Sequence, residues 1–478
     1  MEISIIPNAV GPGMSTPAGS GPNRSGGAVI HVTTLAPDGV GSLRRALETK
    51  GPRIVIFDVS GYIELRKTLK IEEPYLTIAG QTAPFPGITI KGAGLRIKTH
   101  DVLIQHIRAR VGDNLDGPDP KSRDALSILG SPEGTYNIIV DHVSMSWAVD
   151  ENLETWYEGV YDVSITNSII SEALWHSIHP KGPHSKGAII GSGIRKFLML
   201  GNLLAHNDQR NILVGGDTST VFVNNVVYNW HGAGSQSNAG DYYGGVMDAS
   251  IVGNVYIRGL DNRLGNQTIP IQIQSSVAPK SRFYIKDNEA IERSDDPWSV
   301  VRNLASDSIR VDISPNWPVS LIAKKGNVVK NWVLDHAGAR RSDGEAVDLR
   351  IINDVKNGTG RIIDSQNDVG GWPPLAENVR GTGGNLALFV PSNEIQASGY
   401  TKIEEWLHHL AAKVQGGWEE MPIEIQKEDD EPIVIPTPTI KDGLLPIKKY
   451  IKKYITKVKA ELKLLQKILK ILQGDDNE

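Results

Sequence analysis

A weak internal repeat between about residues 100 and 290 constrains this chain more than any other feature. The segments Val102–Arg108, Ile138–Ser144, Val163–Ile169, Leu198–Leu204, Val221–Val227 and Ser250–Tyr256 share one design. Each has an alternating apolar strand, a polar pair, and then apolar residues again; the pairs close on His106, His142, Asn167, Asn202, Asn225 and Asn254. Their spacing of roughly 23 to 36 residues suits one coil of a solenoid with loops of variable length. In such a stack, parallel in-register strands lie about 4.8 Å apart, so equivalent side chains form ladders. An asparagine ladder satisfies turn backbone groups through its own amides. The competing architecture, a sandwich of hairpins, needs compact two-residue turns, and these are scarce here. The composition agrees with a mostly β chain: 49 glycines, and short runs of Val, Ile and Thr broken by Gly, Asn and Asp.

The flanks are different. After a Gly/Pro/Ser-rich opening, GSLRRALET places Leu43, Ala46 and Leu47 on one face of a short helix, which caps whatever lies below it. Strand signals dominate from Arg53, and the pattern loosens after about residue 300. TKIEEWLHHLAAKV (401–414) is an amphipathic helix with Ile403, Trp406, Leu407 and Leu410 on one face. Residues 416–445 form an acidic, Pro-rich linker expected to be extended. In residues 446–473, Ile451, Ile455, Val458, Leu462, Leu465, Leu469 and Leu472 alternate steps of four and three, a heptad seam among lysines such as Lys448, Lys452 and Lys457. A lone helix of this length is marginal in water. Self-association along the seam, as a dimer or trimer, is the favoured expectation; an anionic membrane surface or a groove on a larger assembly are the alternatives.

Several classes are set aside. Without cysteine there is neither disulfide nor thiol chemistry, and a net charge of −5 gives no reason to expect a nucleic-acid partner. No apolar run approaches the roughly 18 residues of a membrane span. The opening MEISIIPNAVGPGMSTPAGSG has neither the basic start nor the apolar core of a secretion signal. The expectation is an extracellular protein whose signal has been removed, or one carried on a virion.

Longer motifs narrow the choice. PNAVGPGMSTPAG, AVIHVTTLAPDGVGSLRRAL, VIFDVSGYIEL and YLTIAGQTAPFPGITIKGAGLRI are followed by RDALSI, IIVDHVSMSWAVDEN, HPKGPHSKGAIIG, HNDQR and FVNNVVYNW. AVDLRIINDVKNGTGRIIDS, GGWPP and GYTKIEEWL complete the series. Over roughly residues 5–415 the chain resembles polysaccharide lyases of the pectate lyase family; the last 60 or so residues fall outside the resemblance. It implies an all-β fold, a right-handed single-stranded parallel β-helix over residues 1–415, to which the chain adds its C-terminal heptad helix. It also implies calcium and cleavage of a polyuronate by β-elimination.

That chemistry explains the residue types. Removing the proton at C5 of a uronate leaves charge on the neighbouring carboxylate, so cations must sit where that charge develops. Calcium takes several hard oxygen ligands, so acidic side chains should cluster on one face. By similarity, Asp124 matches a calcium-binding aspartate and Glu151 falls near a second ligand, with Asp150 and Glu154 close by. Lys186 matches a substrate-binding lysine, with Lys181 and His184 beside it, and Arg210 matches the arginine that acts as base. Arginine is ordinarily protonated; crowding by other cations, here Lys186 and calcium, is what the role requires. The chain departs from the family pattern in two places. Thr155 stands where a further aspartate is expected, and Ile212 and Gly215 replace a proline and an arginine after Arg210.

Each assignment has a plainer alternative. Asp124, Asp150, Glu151 and Glu154 are alternatively solvated or turn carboxylates, Lys181 and Lys186 loop lysines, and Arg210 a structural ion-pair partner. Asp141–His142 has the look of a dyad, but its place in the repeat favours packing. Trp147, Trp156 and Trp175 either stack on sugars or fill core and rim. Two other function classes compete with the lyase. One is a virion spike or depolymerase, or a non-catalytic carbohydrate-binding β-helix. The other is a glycoside hydrolase, which needs a pair of carboxylates roughly 5–9.5 Å apart, and no clear second acidic cluster supplies it.

Overall fold

Three parallel sheets of ten, nine and nine strands wind around one axis. A computed structural model describes residues 3–239, 245–262, 268–379 and 390–416. Each coil visits the sheets in the same order. Val102–Gln105 lies in the first sheet, Arg108–Arg110 in the third and Leu126–Leu129 in the second, before Thr135–Asp141 returns to the first. Among the described residues, the paired strands are all parallel except Asn378–Val379, which runs antiparallel to Val59–Ser60 at one edge. The fold is a parallel β-helix, and the hairpin sandwich is excluded.

Short β-branched strands suit this arrangement because every inward side chain meets its equivalent in the next coil. In the first sheet Ile104, Val140, Ile165, Met199, Phe222, Ile251 and Ile285 stand in register as one column. All seven are buried, and each such side chain contributes about 1.5–3 kcal/mol by leaving water.

The bend from the first sheet to the third takes two residues and repeats. Its first residue is left-handed: His106, His142, Asn167, Gly201, Asn224 and Gly253 have φ of 48° to 73°. Its second residue carries the ladder. Asn202 Nδ2 donates to Asn225 Oδ1 (2.9 Å), Asn225 Nδ2 to Asn254 Oδ1 (3.0 Å) and Asn254 Nδ2 to Asn288 Oδ1 (3.0 Å). The same oxygens accept the backbone N–H of the preceding coil. The repeat drawn from the sequence therefore slips by one. His106, His142 and Asn167 hold the left-handed slot, whereas Asn202, Asn225 and Asn254 hold the amide slot beside it. His142 thus packs in the bend: its ring stacks on His106 at 5.2 Å, and Asp141 accepts from Gln105, Thr166 and Asn167.

Of the flanking helices, the first packs on the main core and the last on the outer face of the first sheet. Leu43–Leu47 buries Leu43, Ala46 and Leu47 on the main core, with Ser42 Oγ accepting from the Arg45 amide. Lys402–Gln415 begins with a Thr401/Glu404 capping box and lays Ile403 and Leu407 on Ile54, Ile56 and Ala79, with Trp406 half-buried beside them. Where the strand pattern loosens, helices Gly326–His336 and Ala346–Asn357 pack on the outer face of the third sheet. There Val329, Val333, Ile351 and Ile352 meet Ile169, Leu203 and Val226. The second helix is also fixed by charge, because Arg110 reaches both Glu345 and Asp348 with all three side chains buried. The heptad seam and most of the linker lie outside the described residues.

Candidate active site

The second sheet brings the candidate residues together. Glu151 pairs in register with Lys186, and Lys186 with Gln209, so the starts of three successive strands form one row. Asp124 sits just before the adjoining strand Leu126–Leu129. Its carboxylate is fixed by Ser127 Oγ (2.7 Å) and by the Glu151 amide (3.1 Å).

The cations of this row come from unusual backbone. Ser185, just before Lys186, has φ +54°, and Arg210 has φ +58°. The register shifts between Ala188 and Ile189, opposite the strand that carries Arg210. Non-glycine residues in this region cost of order 1–3 kcal/mol and persist where surrounding structure enforces them. The pairing is regular through Asn211 and the extra residue is Ile212, so the turn in the strand at Arg210 comes from its own left-handed backbone.

One oxygen from each of Asp124, Asp150 and Glu151 lies within 4.8 Å of the others. Burial, then Glu154 and Glu151, holds Asp124 well above the ordinary carboxylate range. Burial also pushes Asp150 to about 6, and Glu151 to about 7 against the pull of Arg210. Arg210 Nη1 ion-pairs with Glu151 Oε1; the arginine side chain is 26% exposed and the glutamate 6%, so the arginine is the partner that solvent reaches.

Glu154 belongs to the cluster too. Burial and the neighbouring Glu151 raise it to about 7, and its charge in turn helps to raise Asp124. It lies in register with Ser127, the residue that fixes Asp124. Thr155 cannot replace the aspartate expected there, because it is buried and its hydroxyl donates to the Ile189 carbonyl. Strand alternation would have found Glu154, since 153 and 155 are core positions.

Carboxylates crowded this way resist ionising together, and a divalent cation relieves the crowding. Two oxygens on one calcium stand up to about 5 Å apart, so the donor set fits calcium in chemistry and spacing. Asp150 also faces His184 Nε2 at 2.8 Å and His179 Nε2 at 3.6 Å. These rings do not chelate an ion jointly. They stack 3.9 Å apart at 14°, and an ion between parallel rings would lie about 2 Å out of each plane, almost the full length of a metal–nitrogen bond. Burial lowers both imidazoles to about 4, so they are neutral near pH 7.

The remaining candidates separate clearly. Lys186 is buried; its ammonium donates to Asp208 Oδ2 at 3.0 Å. Lys181 is exposed on the same loop, with its amide on His179 Nδ1 (3.2 Å), and His184 is buried against Asp150. Ile212 is a core residue. Trp147 is fully buried and donates to Glu172. Trp156 packs against Tyr157, and half-buried Trp175 lies between His176 and His231. The loop bearing Trp175 is tied to a distant segment, Trp175 N donating to the Ile363 carbonyl and His176 N to Asp364.

No family model matches the chain. It is, however, 31% identical over 425 residues to the probable pectate lyase C of Aspergillus terreus, covering 82% of this chain and 92% of that protein. It belongs to the pectate lyase family. The probable pectate lyase C of Aspergillus oryzae is 29% identical over 422 residues, with the same coverage. As a family member the chain is a polysaccharide lyase. Among solved structures, Jun a 1, the major allergen from cedar pollen, aligns with a TM-score of 0.48 at 17% identity, covering 69% of this lyase and 92% of that chain.

Proposed function

We propose that this lyase cleaves a pectate-like polyuronate by calcium-assisted β-elimination, outside the cell. One observation carries the reading: the register that aligns Glu151, Lys186 and Gln209 on successive strands, with the Asp124 cluster at one end and Arg210 at the other. Asp124, Asp150, Glu151 and Glu154 would hold the ion. Bound there, calcium would supply positive charge where the uronate carboxylate gathers electron density.

The chain's own residues do the rest. Lys186 offers its ammonium to a substrate carboxylate. Arg210, the partner in its ion pair that solvent reaches, extends to the sugar; crowded by Lys186 and a bound cation it would give up its own proton, and as the neutral base it takes the proton at C5. As that C–H bond breaks, the electron pair forms the C4–C5 double bond and the C4–O4 bond breaks, so the leaving chain end takes up a proton and the new end is unsaturated. No water is consumed. The carboxylates do not suit hydrolysis, because one oxygen from each of Asp124, Asp150 and Glu151 lies within 4.8 Å of the others, whereas a glycosidase pair stands roughly 5–9.5 Å apart.

The test is the ultraviolet absorbance of the unsaturated product on polygalacturonate, alginate and other polyuronates, with calcium or with chelator. Calcium-dependent growth of that absorbance on polygalacturonate is the expected result. Silence on every polyuronate in the presence of calcium overturns the reading.

A further inference from the structure

Lys186 is not held by its own strand alone. Its ammonium donates to Asp208 Oδ2 at 3.0 Å and to Gln209 Oε1 at 3.4 Å. The other oxygen of Asp208, Oδ1, lies 2.6 Å from His231 Nδ1. The backbone joins the same three places: Asp208 N donates to Ser185 Oγ at 3.0 Å, and His231 N to the Asp208 carbonyl at 3.0 Å. Trp175 packs on the imidazole, with ring centres 4.6 Å apart at a tilt of 56°. The chain Lys186–Asp208–His231 thus crosses neighbouring coils beside the acidic cluster.

We propose that Asp208 and His231 are positioning residues for Lys186, fixing the direction in which its ammonium meets a substrate carboxylate. The proposal rests on the lyase reading above. A lysine ammonium has three N–H bonds. Two are taken by Asp208 and Gln209, which leaves one to point at the substrate. Lysine reaches its ligands through four rotatable carbons and is a poor director by itself. A carboxylate with both oxygens engaged cannot turn, and that rigidity passes to the ammonium. Lys186 and Asp208 are only 9% and 8% exposed, so their bond competes little with water. The plainer account, a buried ion pair that serves stability alone, leaves unexplained why His231 holds the second oxygen.

The two accounts differ in what a variant does to binding. The readouts are calorimetric affinity for an oligogalacturonate, KM and kcat on polygalacturonate, and the thermal midpoint. Asp208→Asn keeps the shape and removes the charge. It should weaken oligogalacturonate binding and raise KM by about tenfold while kcat stays within about twofold. Asp208→Glu, which keeps the charge, should recover part of that loss. His231→Asn should cost about threefold in affinity. In a Lys186→Met background, Asp208→Asn should add less than about twofold, because the group it positions is gone. Undiminished tenfold loss in that background overturns the proposal. So does a fall in thermal midpoint with affinity and KM unchanged. Wild-type protein that binds oligogalacturonate without cleaving it overturns the lyase reading alone, and the affinity comparison still decides the role of Asp208. Wild-type protein that neither binds nor cleaves overturns both.

Discussion

Two stacks of polar side chains run along this solenoid, and they are built to opposite rules. In the bend between the first and third sheets, Asn202, Asn225, Asn254 and Asn288 repeat one residue type, and every amide donates to the next. In the second sheet, Glu151, Lys186 and Gln209 occupy equivalent places with unlike residues. The first stack satisfies itself, because an amide is both donor and acceptor. The second gathers like-charged carboxylates at one end, with the cations Lys186 and Arg210 beside them. The same coil spacing stabilises when the residues repeat and stores unmet charge when they vary. Only the second arrangement has something left to offer a ligand.

The largest expected effect should come from the row. Arg210→Ala should lower polygalacturonate turnover by about a thousandfold and leave the thermal midpoint within a few degrees. A comparable loss of stability would mean that the arginine belongs to the scaffold. Next is the ladder: Asn225→Ala strips partners from the Asn202 amide and the Met199 and Val223 carbonyls. It should cost about 2–4 kcal/mol in urea unfolding, with kcat per folded molecule unchanged. Asp124→Asn should abolish the response to calcium, yet it should stabilise the calcium-free protein by up to about 1 kcal/mol, since one crowded charge disappears. If it destabilises like the ladder variant, the two stacks do not differ as argued.

The smallest effect is gradual and separates the acidic cluster from the bend by sign. Asp150, Glu151 and Glu154 are raised to between about 6 and 7. Between those values and their unfolded ones the folded state binds more protons, so they add stability as pH falls. His106, buried in the bend, is lowered well below 6.5. Below about pH 6.5 the unfolded state takes the proton that the folded ring refuses, so this group subtracts stability as pH falls. In calcium-free protein Glu154→Gln removes part of the gain. Between about pH 7 and pH 5.5 its urea midpoint should therefore gain less, or lose more, than that of wild type. Parallel slopes would remove Glu154 from the cluster.

How much of this was legible in the sequence follows from the same contrast. The coils, the capping helix at Leu43–Leu47 and the helix at Lys402–Gln415 announce themselves through apolar periodicity, because burial selects at fixed intervals. The ladder frame slipped because the bend has two polar slots. Its left-handed slot accepts His106, Asn167 or Gly201 alike, whereas the amide slot is asparagine from residue 202 onward. Asp124, Glu151, Lys186 and Arg210 were reached through family motifs, and the fold brings them together. The motif puts Glu154 close by, and the face it shares with Ser127 is what joins it to Asp124. Asp208 and His231 carry no periodic signal; their partner lies a coil away, and only the register brings them to Lys186.

The tie between Trp175 and Ile363 bears on timing. Chains emerge from the ribosome from the N-terminus onward, and a solenoid can add coils as they appear. The acids, the lysine and the arginine are all synthesised by residue 210, yet the loop beside them is secured by partners made some 190 residues after it. A nascent or truncated chain can therefore wind most of its coils and still lack the wall that holds the loop beside the acidic cluster. Competence waits until residues 363 and 364 have emerged.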